Sequence, residues 1–254
     1  MALIRDDSPI LEYDTAREAV IMPNRDEGYE FAAKAVFAFL GGAVERYVTE
    51  RGGERVGRFV TMTKTFPVYK VRRDGREITL CEAPVGAPAE AQVLDFLIAY
   101  GVREIVAVGS CGALADLAEN EWLVPVEALR DEGTSYHYLP PTRTITLDPG
   151  PVAAIASVLD RRGLPYERCR TWSTDGFFRE TPGMVAHRRE EGCAVVEMEC
   201  AALAAVARFR GAVFGQLLYT ADTLAQAQGW DQRDWGLASV PLALELALDA
   251  VSAL

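Results

Sequence analysis

Cations are scarce in this chain. Lys and Arg number 26 against 37 Asp and Glu, only two histidines occur among 254 residues, and the formal net charge is −11. A chain of that sign is poorly suited to a polyanion, which argues against nucleic acid as its main partner. Any small anion must instead be met by locally concentrated positive charge. No apolar run approaches the roughly 18 residues of a membrane-spanning helix, so no membrane partner is expected. The segment Met1 to Asp7 lacks the apolar core of an export signal, and the expected location is the cytoplasm. Cys81, Cys111, Cys169, Cys193 and Cys200 are odd in number, scattered and without metal-ligand spacing. They read as reduced, buried thiols, and no metal is expected. Internal repeats, low-complexity linkers, charge blocks, a phosphate loop ending in Gly-Lys-Ser/Thr and a dinucleotide fingerprint are all missing.

Half of the residues are hydrophobic and a quarter are charged, enough to bury a sizeable core. The length favours one α/β domain over residues 1–254. Apolar patterning predicts strands over 18–23, 58–64, 67–71, 77–82, 104–109, 122–129, 166–173, 194–197 and 212–220. Helices are predicted over 28–40, 87–100, 148–162, 185–192, 200–210 and 239–253. Asp74-Gly75 signals a hairpin, and Gly101 and Gly211 sit where helices stop. Strands alternating with helices imply a three-layer α/β/α arrangement around a mixed, mainly parallel sheet. In such folds ligands gather at the carboxyl ends of strands.

Four strand-end segments carry the chemistry. In Gly109-Ser110-Cys111-Gly112-Ala113, two glycines let backbone N–H groups approach an anion while Ser110 adds a hydroxyl; the plain alternative is a tight turn. Trp172-Ser173-Thr174-Asp175-Gly176-Phe177-Phe178 sets polar groups before two aromatics, which can cover a flat ring or simply belong to the core. In Val195-Val196-Glu197-Met198-Glu199-Cys200, two carboxylates bracket a methionine at the mouth of an apolar helix. A carboxylate accepts from two neighbouring hydroxyls, as on a sugar, but Glu is also favoured at any helix N-terminus. Leu217 to Thr223 places Asp222 at the rim of an apolar strand, as a general acid or as an ordinary turn residue.

In this order and spacing, the four segments resemble the nucleoside phosphorylases of the hexameric purine, uridine and methylthioadenosine nucleosidase type, from about Val20 to Ala253. The resemblance implies that Gly109, Ser110 and Gly112 hold phosphate, with Arg25 as a possible aid. It implies that Thr174, Phe177 and Val196 surround the base, that Met198 and Glu199 bind the ribose, and that Asp222 protonates N7 of a purine. Arg233 lies near the register of an Arg that purine-cleaving members carry after this Asp. The implied reaction is phosphate-dependent cleavage to free base and ribose 1-phosphate, with phosphate as co-substrate and no cofactor. The implied assembly is a homodimer or homohexamer.

Several departures from the family pattern fall at the phosphate end. Ala107 stands where the purine enzymes have Arg; Asn24 and Gly28 replace the Gly and Arg of an early motif; Val60 falls near a third Arg. Thr181 and Gly183 replace the uracil-reading Gln and Arg, and Ser8 or Pro9 falls where a sugar-binding His is expected. Water as acceptor, uridine cleavage and nucleoside binding without turnover therefore stand as alternatives. An amidase built on Cys111, with His137 or His187 as base, is a more distant one. Arg130 to Tyr138 reads equally as the lid or subunit contact that the resemblance implies and as a surface loop.

Overall fold

The computed structural model describes residues 3–24, 27–225 and 229–254. Among them, one ten-stranded mixed sheet contains β1 (Lys34–Ala38), β2 (Glu54–Val60), β3 (Thr65–Arg73), β4 (Arg76–Glu82), β5 (Glu104–Ala113), β6 (Trp122–Asp131), β7 (Thr144–Thr146), β8 (Tyr166–Thr174), β9 (Cys193–Glu197) and β10 (Val213–Thr223). The helices are α1 (Ala43–Arg51), α2 (Ala87–Ala99), α3 (Pro149–Arg161), α4 (Pro182–Glu190), α5 (Cys200–Arg210) and α6 (Val240–Ala253). The α/β class with a mixed sheet is as expected, and the parallel pairings are the longest ones.

Strand β5 organises the molecule. Its first half lies between β1 and β10, parallel to both, and Ile105, Val106, Ala107 and Val108 are fully buried. Continuous apolar runs of this kind mark strands covered on both faces. Its last residues, Gly112 and Ala113, pair instead with Val196 and Val195 of β9, antiparallel. From β9 the sheet continues through β8 and β6 and returns to β10, which pairs with β5 again. Five strands thus close into a ring, while β1, β4, β3 and β2 extend from β5 as an open wing. Helices α1, α3 and α6 pack together over one part of this framework, and α2 packs on α5, which rests on β10. The all-but-invisible side chains of Ala201, Ala202, Ala204, Ala205 and Ala207 let α5 sit close, with each of them buried.

The first forty residues depart from expectation. The predicted strand at 18–23 does not form: Val20 and Ile21 are exposed. The predicted helix at 28–40 is β1 with its flanks. Phe31, Val36 and Phe39 fit a helical stripe, but the intervening Ala35, Phe37 and Ala38 are also fully buried, so the burial has no helical face. Helix α1 went unpredicted because its composition is mostly polar, with only Ala43 and Val44 buried. The remaining predicted elements form, with ends shifted by a few residues. Arg130 to Tyr138 is no simple surface loop: Arg130 is buried and donates to Ser135 Oγ (2.8 Å) and to the Pro140 carbonyl (2.8 Å).

Candidate active site

The mouth of the ring is where β5, β9 and β10 splay apart. A cavity of about 170 Å³ opens there, lined by Gly109, Ser110, Gly112, Phe177, Val196, Met198, Glu199 and Asp222, among others. All four sequence segments therefore meet in one place. A cleft of about 860 Å³ lies elsewhere, between the N-terminal segment and α2, and includes none of them. The smaller cavity carries the convergent polar groups, which matter more than volume.

Asp222 owes its position to a bulge. Thr220 pairs with Cys111 and Thr223 with Ala113, so Ala221 and Asp222 together face Gly112 alone. An extra residue of this kind re-aims a side chain. Asp222 is buried, and its Oδ2 accepts a hydrogen bond from Trp230 Nε1 (2.7 Å). A Cβ on Gly112 would lie 3.2 Å from Asp222 Oδ1 and 3.1 Å from a Val196 methyl, and one on Gly109 would lie 2.9 Å from Phe39. The glycines are thus needed for close approach of strand to strand as well as for turning.

The two glutamates of β9 and its exit divide their duties. Glu197 accepts from Thr171 Oγ1 (3.0 Å), Ser173 Oγ (2.6 Å) and the N–H groups of Glu199 (2.7 Å) and Cys200 (2.6 Å). It is the charged cap at the start of α5, the role any helix N-terminus offers. Glu199 is the less committed of the two at the cavity. Gly86 N–H donates to its Oε1 (2.6 Å) and Met198 N–H, more weakly, to its Oε2 (3.2 Å), leaving lone pairs free. Burial, and then the charge of Glu197, push the Glu199 carboxyl up to about 8. Burial raises Glu197 as well, but its four donors oppose that rise more strongly than the two on Glu199 do, so of the pair Glu199 is the one that keeps a proton at neutral pH. Behind them, Glu90 on α2 is fully buried, and both its oxygens lack a hydrogen-bond partner among the described residues. Burial, and then Glu199, raise Glu90 well above the usual carboxylate range.

Phe177 is partly exposed and stands edge-on to Phe178 (5.0 Å between ring centres), with one face available at the cavity. Thr174 does not line the cavity: its Oγ1 accepts from Gly176 N–H (3.1 Å) and shapes the turn. Arg233 does not pair with Asp222. Its Nη2 donates to the Leu117 carbonyl (2.7 Å), because residues 229–236 double back on Thr223 and present Trp230 to the acid instead. Arg25 lies outside the described residues. Cys111 is a poor nucleophile: its thiol is buried and raised well above normal, first by burial. His137 lines the large cleft and His187 is exposed on α4 beside Glu191, so neither serves Cys111 and the amidase reading is set aside.

Several lining residues escaped the sequence reading, Phe39 and Val85 among them. Trp235 forms part of the lip. Gln216 on β10, opposite Ala107, is buried with Oε1 unpartnered. Glu180 follows the aromatic pair, and burial, then Asp222, raise it to about 7. A polar residue interrupting the apolar run of β10 was the only available signal for Gln216. Among the described lining residues there are four carboxyl groups and no cation. No helix among the described residues is long and apolar enough to cross a membrane.

The model of the phosphorylase superfamily matches residues 34–254. A guanosine phosphorylase of Halorubrum lacusprofundi is 25% identical over 202 residues, covering 77% of this chain and 84% of that protein. A DeoD-type purine nucleoside phosphorylase of Myxococcus xanthus is 27% identical over 215 residues, 82% of this chain and 87% of that protein. Among solved structures, a uridine phosphorylase from Vibrio fischeri superposes with a TM-score of 0.78 at 21% identity, over 91% of this chain and all of that one (100%). An AMP nucleosidase from Bacteroides thetaiotaomicron gives 0.71 at 22% identity, over 87% and 88%.

Proposed function

The chain belongs to the phosphorylase superfamily, and on that premise we propose that it cleaves the N-glycosidic bond of a purine-leaning nucleoside, with phosphate as acceptor, yielding free base and ribose 1-phosphate. One observation carries this reading: Ser110, Phe177, Glu199 and Asp222, from four separate segments, line a single cavity. The relatives named as guanosine and purine nucleoside phosphorylases point the same way.

The chemistry follows from the positions. The ribose diol donates to Glu199, which gives up its proton on binding because hydroxyl donors favour the carboxylate. Met198 forms an apolar wall for the sugar, and Phe177 covers the base. As the C–N bond lengthens, positive charge grows on the sugar and negative charge on the departing base. Asp222 donates a proton at N7, a contribution of about 10²–10⁴-fold for general acids. The wall of carboxylates opposite stabilises the cationic sugar. Phosphate, held by Ser110 and the N–H groups from Gly109 to Gly112, attacks the anomeric carbon. No cofactor enters this scheme.

A second reading has water as the acceptor, and the absence of any cation among the described lining residues favours it. Phosphate there lacks the charge-assisted contacts that are about twice as strong as neutral ones. Gln216, a neutral amide, is the kind of group that orients water. Release of free base from guanosine, inosine, adenosine and uridine, measured with and without phosphate, decides the matter. Strict dependence on phosphate supports phosphorolysis, and equal rates in its absence support hydrolysis. Tight binding without release under either condition leaves a nucleoside-binding protein.

A further inference from the structure

Glu180 has no task in the scheme above, yet it faces the cavity. It follows Phe177 by three residues, is partly buried, and its carboxyl makes no hydrogen bond or ion pair among the described residues. An idle carboxyl in a cavity wall is costly unless a ligand completes it. Its place relative to Asp222 narrows what that ligand group is. Both line the same cavity, close enough for the charge of Asp222 to act on Glu180, and Phe177 lies in the same wall. With N7 of a purine at Asp222 and the ring over Phe177, the next polar group around that edge of the base is the substituent on C6.

We infer that Glu180 is a specificity-determining residue that reads the C6 substituent of the purine, donating from its protonated form to a 6-oxo group and accepting in its ionised form from a 6-amino group. This rests on the nucleoside reading above. A carboxyl group offers a donor when protonated and only acceptors when ionised, at the same spot. Both forms are accessible here because burial, then Asp222, bring the group to about 7. The titratable groups that face it are Asp222 on β10 and, across the cavity, Glu197 and Glu199 at the end of β9; Asp175 and Arg179 flank it along the chain. On this reading Asp222 meets N7, Glu199 meets the sugar and Glu197 caps α5; inosine and adenosine share N7 and the sugar, so effects through these groups cancel in a ratio of the two.

The experiment compares kcat/KM for inosine and adenosine between pH 6 and pH 8, for the wild type and Glu180→Gln. The expected result is a wild-type inosine-to-adenosine ratio that falls by about tenfold or more as pH rises, the scale of one charged hydrogen bond. In Glu180→Gln the amide carries donor and acceptor at every pH, so the ratio should be flat and nearer to one. Purine riboside, which lacks a C6 substituent, reports whether the variant still folds and turns over. A flat ratio in the wild type overturns the inference, whatever the variant does. A ratio that falls equally in both proteins also overturns it, since another group is then titrating. Absence of base release from every nucleoside by the wild type defeats the nucleoside-cleavage reading itself, and this inference with it.

Discussion

The two ends of the cavity are built differently. At the sugar end, Glu199 is held by two backbone N–H groups, backed by the fully bonded Glu197 and by the unpartnered Glu90. At the acceptor end, Ser110 is exposed on a glycine-flanked strand tip, and the nearby amide of Gln216 has an unused oxygen. One end is a dense, preorganised cluster of carboxyl groups; the other has room and few fixed contacts. On the proposed reading, the ribosyl group meets fixed, preorganised contacts of this chain, whereas the nucleophile meets weaker, neutral ones.

Four substitutions test that contrast, beginning with the largest effect. Asp222→Asn should lower kcat for purine nucleosides by about 10²–10⁴-fold and affect pyrimidine nucleosides far less; equal losses would remove the acid from N7. Glu199→Gln should lower kcat/KM by ~10²-fold, as expected for losing charged contacts to a diol, with an unchanged circular dichroism spectrum. In the wild type, nucleoside affinity should also rise with pH toward 8, because the carboxylate is the binding form, and the Gln variant should lose this slope. Turnover retained in Glu199→Gln would erase the proposed sugar end. Ser110→Ala should raise the KM for phosphate by about fivefold, near 1 kcal/mol, and leave the KM for nucleoside in place. A shift in the nucleoside KM instead would show that the two ends are not separable.

The smallest effect is on stability. Glu90 has a raised carboxyl in the folded protein, so its contribution is present below the unfolded value near 4.5 and is lost as pH rises toward the folded one. Glu90→Gln does not titrate. It should match the wild type near pH 4.5 and exceed it by ~2–4 °C in Tm at pH 8, the shift that about 1 kcal/mol gives in a chain of this size. Lower stability at pH 8 would mean that an unseen partner supports the charge.

Much of this site was legible in the sequence because its residues sit where apolar strands end in polar or glycine-rich segments. Gly109 to Gly112, Phe177, Glu197 to Glu199 and Asp222 all have that signature, and all reach the cavity. Thr174 and Arg233 shared it or lay close to it, but local turns claimed their side chains. Glu180 and Trp235 were missed because nothing in their immediate neighbours distinguishes a cavity wall from a surface or a core, and Gln216 was marked only by its polarity within the apolar run of β10. The first forty residues misled for another reason: a strand buried on both faces carries no alternation, and Phe31, Val36 and Phe39 mimic a helical stripe. The double pairing of β5 depends on contacts with strands 80 to 110 residues later, which no local pattern encodes.

That double pairing has a mechanical corollary. Ser110, Glu197 and Asp222 are carried by three members of one hydrogen-bonded hoop whose strands have no loose margin along which to slide. Phe177, Glu180, Trp230 and Trp235 are borne on excursions outside it. On the proposed reading, Ser110 and Asp222 are thereby fixed to a chassis while Phe177 and Glu180 are fitted to it from outside, so that a change of preferred heterocycle need not disturb the spacing of the groups on the hoop.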